Sequence, residues 1–315
     1  MRPRVSVVVP CCNEAPNIDA LYARVTTTTR SQGYTSQLVL VDDGSRDDTW
    51  ARISGLAAHD NTVLAVKLSR NHGHQLALTA GLSVCTGERV LILDADLQDP
   101  PELLPQMMAR MDEGFDVVYG QRVARHGETA LKRATAHVFY RLMQRLVDEP
   151  IPVDTGDFRL MSRRAVDALN AMPERHRFVR GMVSWIGFAQ AAIPYERAPR
   201  AAGKTKYPLR TSLHFGIDAV TSFSIVPLRV ASYLGVLSAV LALVVTAYAL
   251  WSWGTGRTVQ GWTSLIIISL LLGGAQLCVL GVIGEYLGRL YVESKRRPLF
   301  IIEEIVRRDA LPPRL

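Results

Sequence analysis

Residues 90–102 read VLILDADLQDPPE, the most informative segment of the chain for its architecture. An apolar strand ends there in two carboxylates, Asp94 and Asp96, followed by the amide of Gln98 and a helix start led by proline. Two carboxylates and an amide oxygen at this spacing are hard ligands suited to one Mg²⁺ or Mn²⁺ ion, whose remaining positions a diphosphate can fill. The alternative is an acidic turn that only caps a helix. The position directly after a buried strand favours the metal site.

Short apolar runs alternate with amphipathic stretches on either side of this motif. Strands are predicted at Val5–Val9, Gln37–Val41, Val63–Leu68, Arg89–Leu93 and Val117–Tyr119, and helices at Ala15–Arg30, Asp47–Ala58, Gln75–Val84 and Pro101–Asp112. The near-continuous Val, Ile and Leu content of the strands is typical of parallel strands covered on both faces. The sequence therefore predicts an open α/β sheet, in which ligands bind beyond the carboxyl ends of the strands.

Polar residues also follow the first two predicted strands. Pro10, Asn13 and Glu14 follow the first strand, and Asp42 and Asp43 follow the second. Short acids and amides at these strand ends are suited to hydrogen bonds with ribose hydroxyls or a base N–H, so they predict a nucleoside pocket. The alternative is that such residues are only helix caps and turn formers.

Two apolar runs without a charged residue occupy residues 230–253 and 261–284. Each exceeds the ~20 residues that cross ~30 Å of hydrocarbon, so the sequence predicts two transmembrane helices. Lys and Arg residues flank the pair on its outer sides, which predicts that the N-terminal domain is cytoplasmic. The first strand begins almost at once, which predicts no signal peptide.

Residues 208–228 have the periodicity of an interfacial helix, although a helix packed on the soluble domain fits equally well.

The composition agrees with a soluble domain joined to an apolar anchor. The chain has 315 residues, of which 48% are hydrophobic and 21% charged, and its mean hydropathy is +0.11. This apolar fraction excludes a disordered chain, and four cysteines in such a length exclude a small disulfide scaffold. The net charge of +7 gathers partly at the flanks of the anchor, which favours anionic lipid over nucleic acid as the partner.

Four motifs together resemble the family 2 glycosyltransferases with the GT-A fold: VVVPCCNE (7–14), VDDGSRDDT (41–49), LSRNHGHQLALTAGL (68–82) and DADLQDPPE (94–102). With the two apolar runs, the chain is similar to the polyprenyl-phosphate glycosyltransferases of the inner membrane. The resemblance implies inverting transfer of a hexose from a nucleotide sugar to polyprenyl phosphate, with UDP-glucose the first expected donor and GDP-mannose the second. The alternatives are transfer to a glycan or protein, and a non-catalytic nucleotide-sugar-binding scaffold. One departure is Cys11-Cys12 before Asn-Glu, which changes the shape of the nucleoside pocket.

The resemblance also implies roles for individual residues. Pro10, Glu14 and Asp42 or Asp43 would hold the nucleoside, and Asp94, Asp96 and Gln98 the metal and the donor diphosphate. Asp157, within the cluster DTGDFRLMS (154–162), would be the catalytic carboxylate, acting as a base or orienting the acceptor. The alternative is that Asp157 caps the helix predicted after it. His72 and His74 are expected to shape the donor pocket rather than bind a metal.

An anionic acceptor requires cations, and basic residues recur where a lipid headgroup would enter. The candidates for binding the acceptor phosphate are Arg122, Lys132, Arg133, Arg200, Lys204 and Lys206. The alternative is a basic surface attracted to anionic lipids. We therefore expect a catalytic domain at residues 1–207, a juxtamembrane segment at 208–229, a two-helix anchor at 230–287 and a basic tail at 288–315. The resemblance further implies a homo-oligomer, with a tetramer as one candidate.

Overall fold

The computed structural model describes residues 3–123, 155–175, 177–197, 226–256 and 261–308, which fall into two compact units. The first unit contains the described residues up to 197 together with residues 297–308, and the second contains residues 226–256 and 261–296. Five of the predicted phosphate-binding cations lie outside the described residues, as does most of the predicted juxtamembrane segment; these cations are Lys132, Arg133, Arg200, Lys204 and Lys206.

The described strands of the first unit form one sheet of eight, in the order β7-β5-β6-β4-β1-β2-β3-β8. The strands are β1 (Val5–Cys11), β2 (Ser36–Asp42), β3 (Val63–Leu68), β4 (Arg89–Ile92), β5 (Val117–Arg122), β6 (Thr155–Ser162), β7 (Gln190–Tyr195) and β8 (Ile302–Val306). The helices are α1 (Ala15–Ser31), α2 (Thr49–His59), α3 (His74–Val84), α4 (Leu104–Asp112), α5 (Arg163–Ala171) and α6 (Val179–Trp185), with a 3₁₀ turn at Pro101–Leu103. The sheet confirms the predicted α/β class.

The centre of the sheet is apolar on both faces. Val7 of β1 packs in a buried cluster with Ile18 of α1, and the neighbouring Val8 faces α3 on the other side. Residue 81 of α3 is glycine because a Cβ there would lie 2.4 Å from Cγ1 of Val8. Because β1, β2, β3 and β4 pair in parallel, the carboxyl ends of these four strands lie at one common edge of the sheet.

The position of β6 differs from a simple succession of parallel strands. β6 lies between β4 and β5 and runs antiparallel to both, with Ile92 of β4 opposite Arg159 of β6. The N-terminal end of β6 therefore reaches the edge at which β4 ends. This reversal places Asp157, two residues before Arg159, next to the loop that begins with Asp94.

A further strand follows the second apolar run. β8 pairs antiparallel with β3 at the outer end of the sheet, and Ile301 C=O accepts a hydrogen bond from Ser69 N–H at 3.0 Å. The Lys67 ammonium lies 3.0 Å from a carboxylate oxygen of Glu303. These residues lie in the predicted basic tail, residues 288–315. The described part of that segment instead continues α8 to Ser294 and then adds β8 to the sheet.

The second unit consists of two long helices, α7 (Val226–Gly254) and α8 (Trp262–Ser294). Val226–Ser252 has a mean hydropathy of 2.2 and Leu271–Ser294 one of 1.4, and both are long enough to span a membrane. Large apolar side chains on them are exposed, among them Leu237 and Leu243. By length and composition the two helices are candidate membrane spans, and they overlap the two predicted runs, although the second candidate span lies ten residues further along the chain than its run.

Candidate active site

The loops that follow β1 and β2 are joined by a hydrogen bond. Asn13 N–H donates to Oγ of Ser45 at 2.9 Å, and Asn13 has a φ of +54°, in the left-handed region that asparagine tolerates better than most residues. The carboxylate of Glu14 accepts from Nδ2 of Asn17 at 2.7 Å, and Pro10 is buried at the end of β1. The residues predicted to hold a nucleoside thus lie at one edge of the sheet, while their contact with a nucleoside stays a prediction.

Asp42 and Asp43 are both buried but have different surroundings. Both oxygens of Asp43 accept backbone hydrogen bonds, from His72 N–H at 2.7 Å and from Gly73 N–H at 3.0 Å. Gly73 has a φ of +94°, which favours glycine. Asp43 therefore fixes the loop between β3 and α3. Asp42 is contacted more weakly, by Ser45 N–H at 3.3 Å, and burial raises the pKa of its carboxyl group.

The donor set predicted for a metal ion lies directly beyond β4. Oδ1 of Asp96 accepts from Gln98 N–H at 3.2 Å. Oδ1 of Asp94 is buried and has no hydrogen-bond partner among the described residues. Burial, together with the neighbouring carboxylates Asp157, Asp99 and Asp96, raises the pKa of Asp94 to about 6. A buried carboxylate oxygen that accepts no hydrogen bond from the described residues, beside a second carboxylate, fits a divalent cation that binds hard oxygen ligands.

The described residues contain no cluster of three or more His, Cys, Asp and Glu side chains that could hold a metal by themselves. Binding of a metal ion by Asp94, Asp96 and the Gln98 amide oxygen stays a prediction, and such a donor set would leave coordination positions for a diphosphate.

His74, the first residue of α3, lies between two carboxylates. Its Nε2 is 3.5 Å from Oδ1 of Asp94 and 3.3 Å from Oδ2 of Asp157. Burial lowers the pKa of His74, but the hydrogen bond to Asp157 and the two negative charges outweigh it and raise the pKa to about 9. His74 thus joins Asp94, in the loop after β4, to Asp157 of β6.

Asp157 is buried and is held by donors from two helices. Its Oδ1 accepts from Nε of Arg180 at 2.9 Å, and its Oδ2 accepts from Nε2 of Gln75 at 3.0 Å. Oε1 of Gln75 in turn accepts from Val179 N–H at 3.1 Å, which ties α3 to α6. Burial raises the pKa of Asp157, but Arg180 and His74 hold it well below the usual range. The carboxylate is therefore ionised near neutral pH. The cap of α5 is Ser162, whose Oγ accepts from Ala165 N–H, so Asp157 does not cap that helix.

A second group of side chains, here named the Asp99 cluster, consists of Asp99, Tyr195, Arg122 and Arg197. The phenol of Tyr195 donates to Oδ1 of Asp99 at 2.5 Å and accepts from Nε of Arg122 at 3.4 Å. Nε of Arg197 lies 3.5 Å from Oδ1 of Asp99, and its NH2 nitrogen lies 3.7 Å from Oδ2 of Asp96. The cluster connects Arg122, a predicted acceptor-phosphate ligand, with the predicted metal ligands.

Sequence reasoning did not assign the partners of Asp157. The sequence predicts His74 to shape the donor pocket and does not predict its contact with Asp157. Gln75 and Asp157 are 82 positions apart, so only the fold brings them together. The available signal was the histidine that directly follows Gly73 at the start of α3.

Comparison with known protein families agrees with this geometry. The model of glycosyl transferase family 2 matches residues 6–169, and that of the GtrB C-terminal hairpin matches residues 226–290. The first match contains the strand-end loops, Asp94, Asp96 and Asp157. The second contains α7 and most of α8.

Similar proteins match over nearly the whole chain. The glycosyltransferase YkcC of Bacillus subtilis is 44% identical over 302 residues, which cover 95% of this chain and 93% of the relative. A prophage bactoprenol glucosyl transferase homolog of Escherichia coli is 38% identical, covering 96% of this chain and 99% of the relative. The bactoprenol glucosyl transferase of Shigella phage SfV is also 38% identical, covering 95% and 98%.

Among solved structures, glucosyl-3-phosphoglycerate synthase from Mycobacterium tuberculosis, crystallised with Mn²⁺, UDP and phosphoglyceric acid, matches with a TM-score of 0.50. The match covers 70% of this chain and 76% of that one at 19% identity, and it supports the fold alone. The sheet, the order of the motifs and the relatives lead to one conclusion: the chain is an enzyme that belongs to glycosyl transferase family 2.

Proposed function

We propose that this enzyme transfers a hexose, with inversion, from a nucleotide sugar to polyprenyl phosphate. UDP-glucose is the first candidate donor and GDP-mannose the second. The observation that carries the proposal is the pairing, in one chain, of a family 2 catalytic domain with the GtrB-type hairpin. Relatives with both parts, alike over nearly their full length, are named bactoprenol glucosyl transferases.

The donor side of the reaction is assigned to the carboxyl ends of β1, β2 and β4. Asp94, Asp96 and Gln98 would hold Mg²⁺ or Mn²⁺. When bound, the cation supplies positive charge that stabilises the departing diphosphate. Pro10, Asn13, Glu14 and Asp42 would line the nucleoside pocket, and Asp43 supports that pocket by fixing the loop after β3.

A phosphate acceptor requires less of Asp157 as a base than a sugar-hydroxyl acceptor would. A phosphate monoester has a second pKa of about 6, so its oxygen is already largely ionised at neutral pH and needs no strong base. Asp157, whose pKa is held low by Arg180 and His74, would be a weak base. We therefore assign to Asp157 the orientation of the acceptor and the stabilisation of positive charge at the anomeric carbon.

The acceptor side combines cations with the apolar helices. Arg122 is the predicted acceptor-phosphate ligand within the described residues, and Lys132, Arg133, Arg200, Lys204 and Lys206 are retained as candidates. We propose that α7 and α8 anchor the enzyme in the cytoplasmic membrane with the catalytic domain on the cytoplasmic side, where the basic flanks would lie. We also propose that the chain self-associates, with the tetramer as the state to test.

The test uses the purified full-length enzyme in detergent with undecaprenyl phosphate, Mn²⁺ and radiolabelled UDP-glucose or GDP-mannose. We expect one donor to yield a product that partitions into organic solvent, and chelation by EDTA to abolish its formation until Mn²⁺ is restored. Asp157→Asn should lower kcat by about 10²-fold or more, as loss of a group stabilising transition-state charge does. The matched control is Asp19→Asn, which changes an exposed surface carboxylate.

Several results would contradict the proposal. Label found only in protein or in a water-soluble glycan would show a different acceptor class. Tight donor binding without turnover on any acceptor would identify a binding scaffold. Unchanged kcat in Asp157→Asn would remove the assigned role of that carboxylate while leaving the substrate assignment intact.

A further inference from the structure

The Asp99 cluster contains a buried carboxylate for which the transfer reaction has no direct use. Asp99 is fully buried, and its Oδ2 has no hydrogen-bond partner among the described residues. Its Oδ1 accepts from the Tyr195 phenol, and the nearest positive charge is Arg197. Burying a carboxylate is costly unless it is paired, so an incompletely satisfied one calls for an explanation.

The ring of Tyr195 is held firmly in place. It packs edge-to-face on Phe158, with centroids 5.6 Å apart, and a Cβ at residue 120 would lie 2.7 Å from Cε1 of Tyr195, so only glycine leaves room for the ring. Burial and the charge of Asp99 raise the pKa of Tyr195, which keeps the phenol protonated. The hydroxyl proton is directed to Asp99, so its oxygen is left to accept from Arg122.

Arg122 is restrained at one end of its guanidinium group. Its Nε donates to the Tyr195 hydroxyl. A Cβ on residue 156 would lie only 2.6 Å from the Nη2 atom of Arg122, so glycine at that position makes room for the guanidinium group. No described residue accepts a hydrogen bond from the two terminal nitrogens. An arginine anchored through Nε presents those nitrogens as a fork, which is the geometry that binds phosphate through two hydrogen bonds.

We propose that Tyr195, held by Asp99, is a positioning residue that directs the guanidinium of Arg122 toward the acceptor phosphate. This inference rests on the proposed function, because it takes the acceptor to be a lipid phosphate. Arg197 extends the same cluster to Asp96, so Asp99 is linked through Tyr195 to Arg122 and through Arg197 to one predicted metal ligand. Tyr195 itself acts through Arg122 and does not contact the reacting atoms.

The experiment compares Tyr195→Phe with Tyr22→Phe in the full-length enzyme. Both changes remove a hydroxyl that donates a hydrogen bond to an aspartate. Tyr22, in α1, donates to Asp60 at 2.7 Å. We expect Tyr195→Phe to weaken equilibrium binding of undecaprenyl phosphate in detergent, and to raise its KM, by about three- to tenfold, as loss of one ordinary hydrogen bond would. The donor KM, and kcat at saturating acceptor, should stay unchanged. Tyr22→Phe should leave all these constants unchanged.

A double-mutant cycle with Arg122→Gln tests whether Tyr195 acts through the arginine. If it does, adding Tyr195→Phe to Arg122→Gln weakens acceptor binding no further, so the two effects are non-additive. Unchanged acceptor binding in Tyr195→Phe, equal losses in Tyr195→Phe and Tyr22→Phe, or additive effects in the cycle would each overturn the inference. Because binding is measured apart from turnover, a wild-type enzyme that binds the lipid phosphate but transfers no sugar would contradict the proposed function only. A wild-type enzyme that fails to bind it would overturn both.

Discussion

Asp42 and Asp43 are adjacent, buried and identical in side chain, yet the structure gives them different tasks. Asp43 accepts two backbone hydrogen bonds that fix the loop leading to His74, whereas Asp42 is contacted weakly and its burial raises its pKa. In Asp43→Asn the amide can accept only one of those two bonds, and its NH2 group faces the other backbone N–H. The loss should be about 2 kcal/mol, because a hydrogen bond to a charged group is lost and a partly buried N–H is left without an acceptor.

The assay is thermal unfolding of the two variants, followed in the same detergent and buffer. At about 2–4 °C per kcal/mol for a protein of this size, Asp43→Asn should lower Tm by about 4–8 °C. Asp42→Asn removes a carboxylate that burial disfavours and should leave Tm nearly unchanged. If Asp42 lines the nucleoside pocket, that variant should instead raise the donor KM. Equal Tm values for the two variants, or a larger decrease for Asp42→Asn, would refute this division of tasks.

Two further predictions concern the stability of the catalytic unit. Gly81→Ala should destabilise the fold by about 1–3 kcal/mol, because its Cβ would lie 2.4 Å from Val8, while Gly55→Ala in α2, with nothing within 4 Å, should be neutral or stabilising in the same melting assay. Arg164 and Ser162 lower the pKa of Asp116, so the stability this carboxylate adds is present above its unfolded pKa of about 3.9 and is lost as pH falls through the lower folded value. The Tm difference between wild type and Asp116→Asn should therefore shrink between pH 6 and pH 3, and a difference independent of pH would contradict the assignment.

The sequence was sufficient to predict the features that depend on local pattern. The apolar runs at β1 to β4 have the length and content of buried parallel strands, and the polar residues that end them, such as Asn13 and Asp94, lie where the strand ends predict. The presence of α7 and α8 likewise follows from the uncharged runs, although α8 continues ten residues past its run, to Ser294. These predictions succeed because the hydrophobic periodicity of an element, its burial and the residue at which it ends all depend on residues that are neighbours in the sequence.

The features that the sequence did not predict depend on contacts between distant segments. Nothing in residues 155–162 indicates that β6 enters the sheet between β4 and β5, and without that placement the bonds from His74 and Arg180 to Asp157 cannot be foreseen. β8 was missed for a similar reason. It lies within residues 288–315, which the sequence predicts as a basic tail, and its pairing with β3 appears only in the folded sheet.

The attachment of β8 to β3 also sets an order of events during synthesis. Residues 302–306 emerge from the ribosome after both apolar helices, so the sheet gains its outermost described strand only once α7 and α8 have been translated. Until then β3 is an open edge, with backbone N–H and C=O groups exposed to any other extended chain. Completion of the catalytic domain therefore waits on translation of the hairpin, and a chain interrupted before residue 302 would carry an unprotected sheet edge.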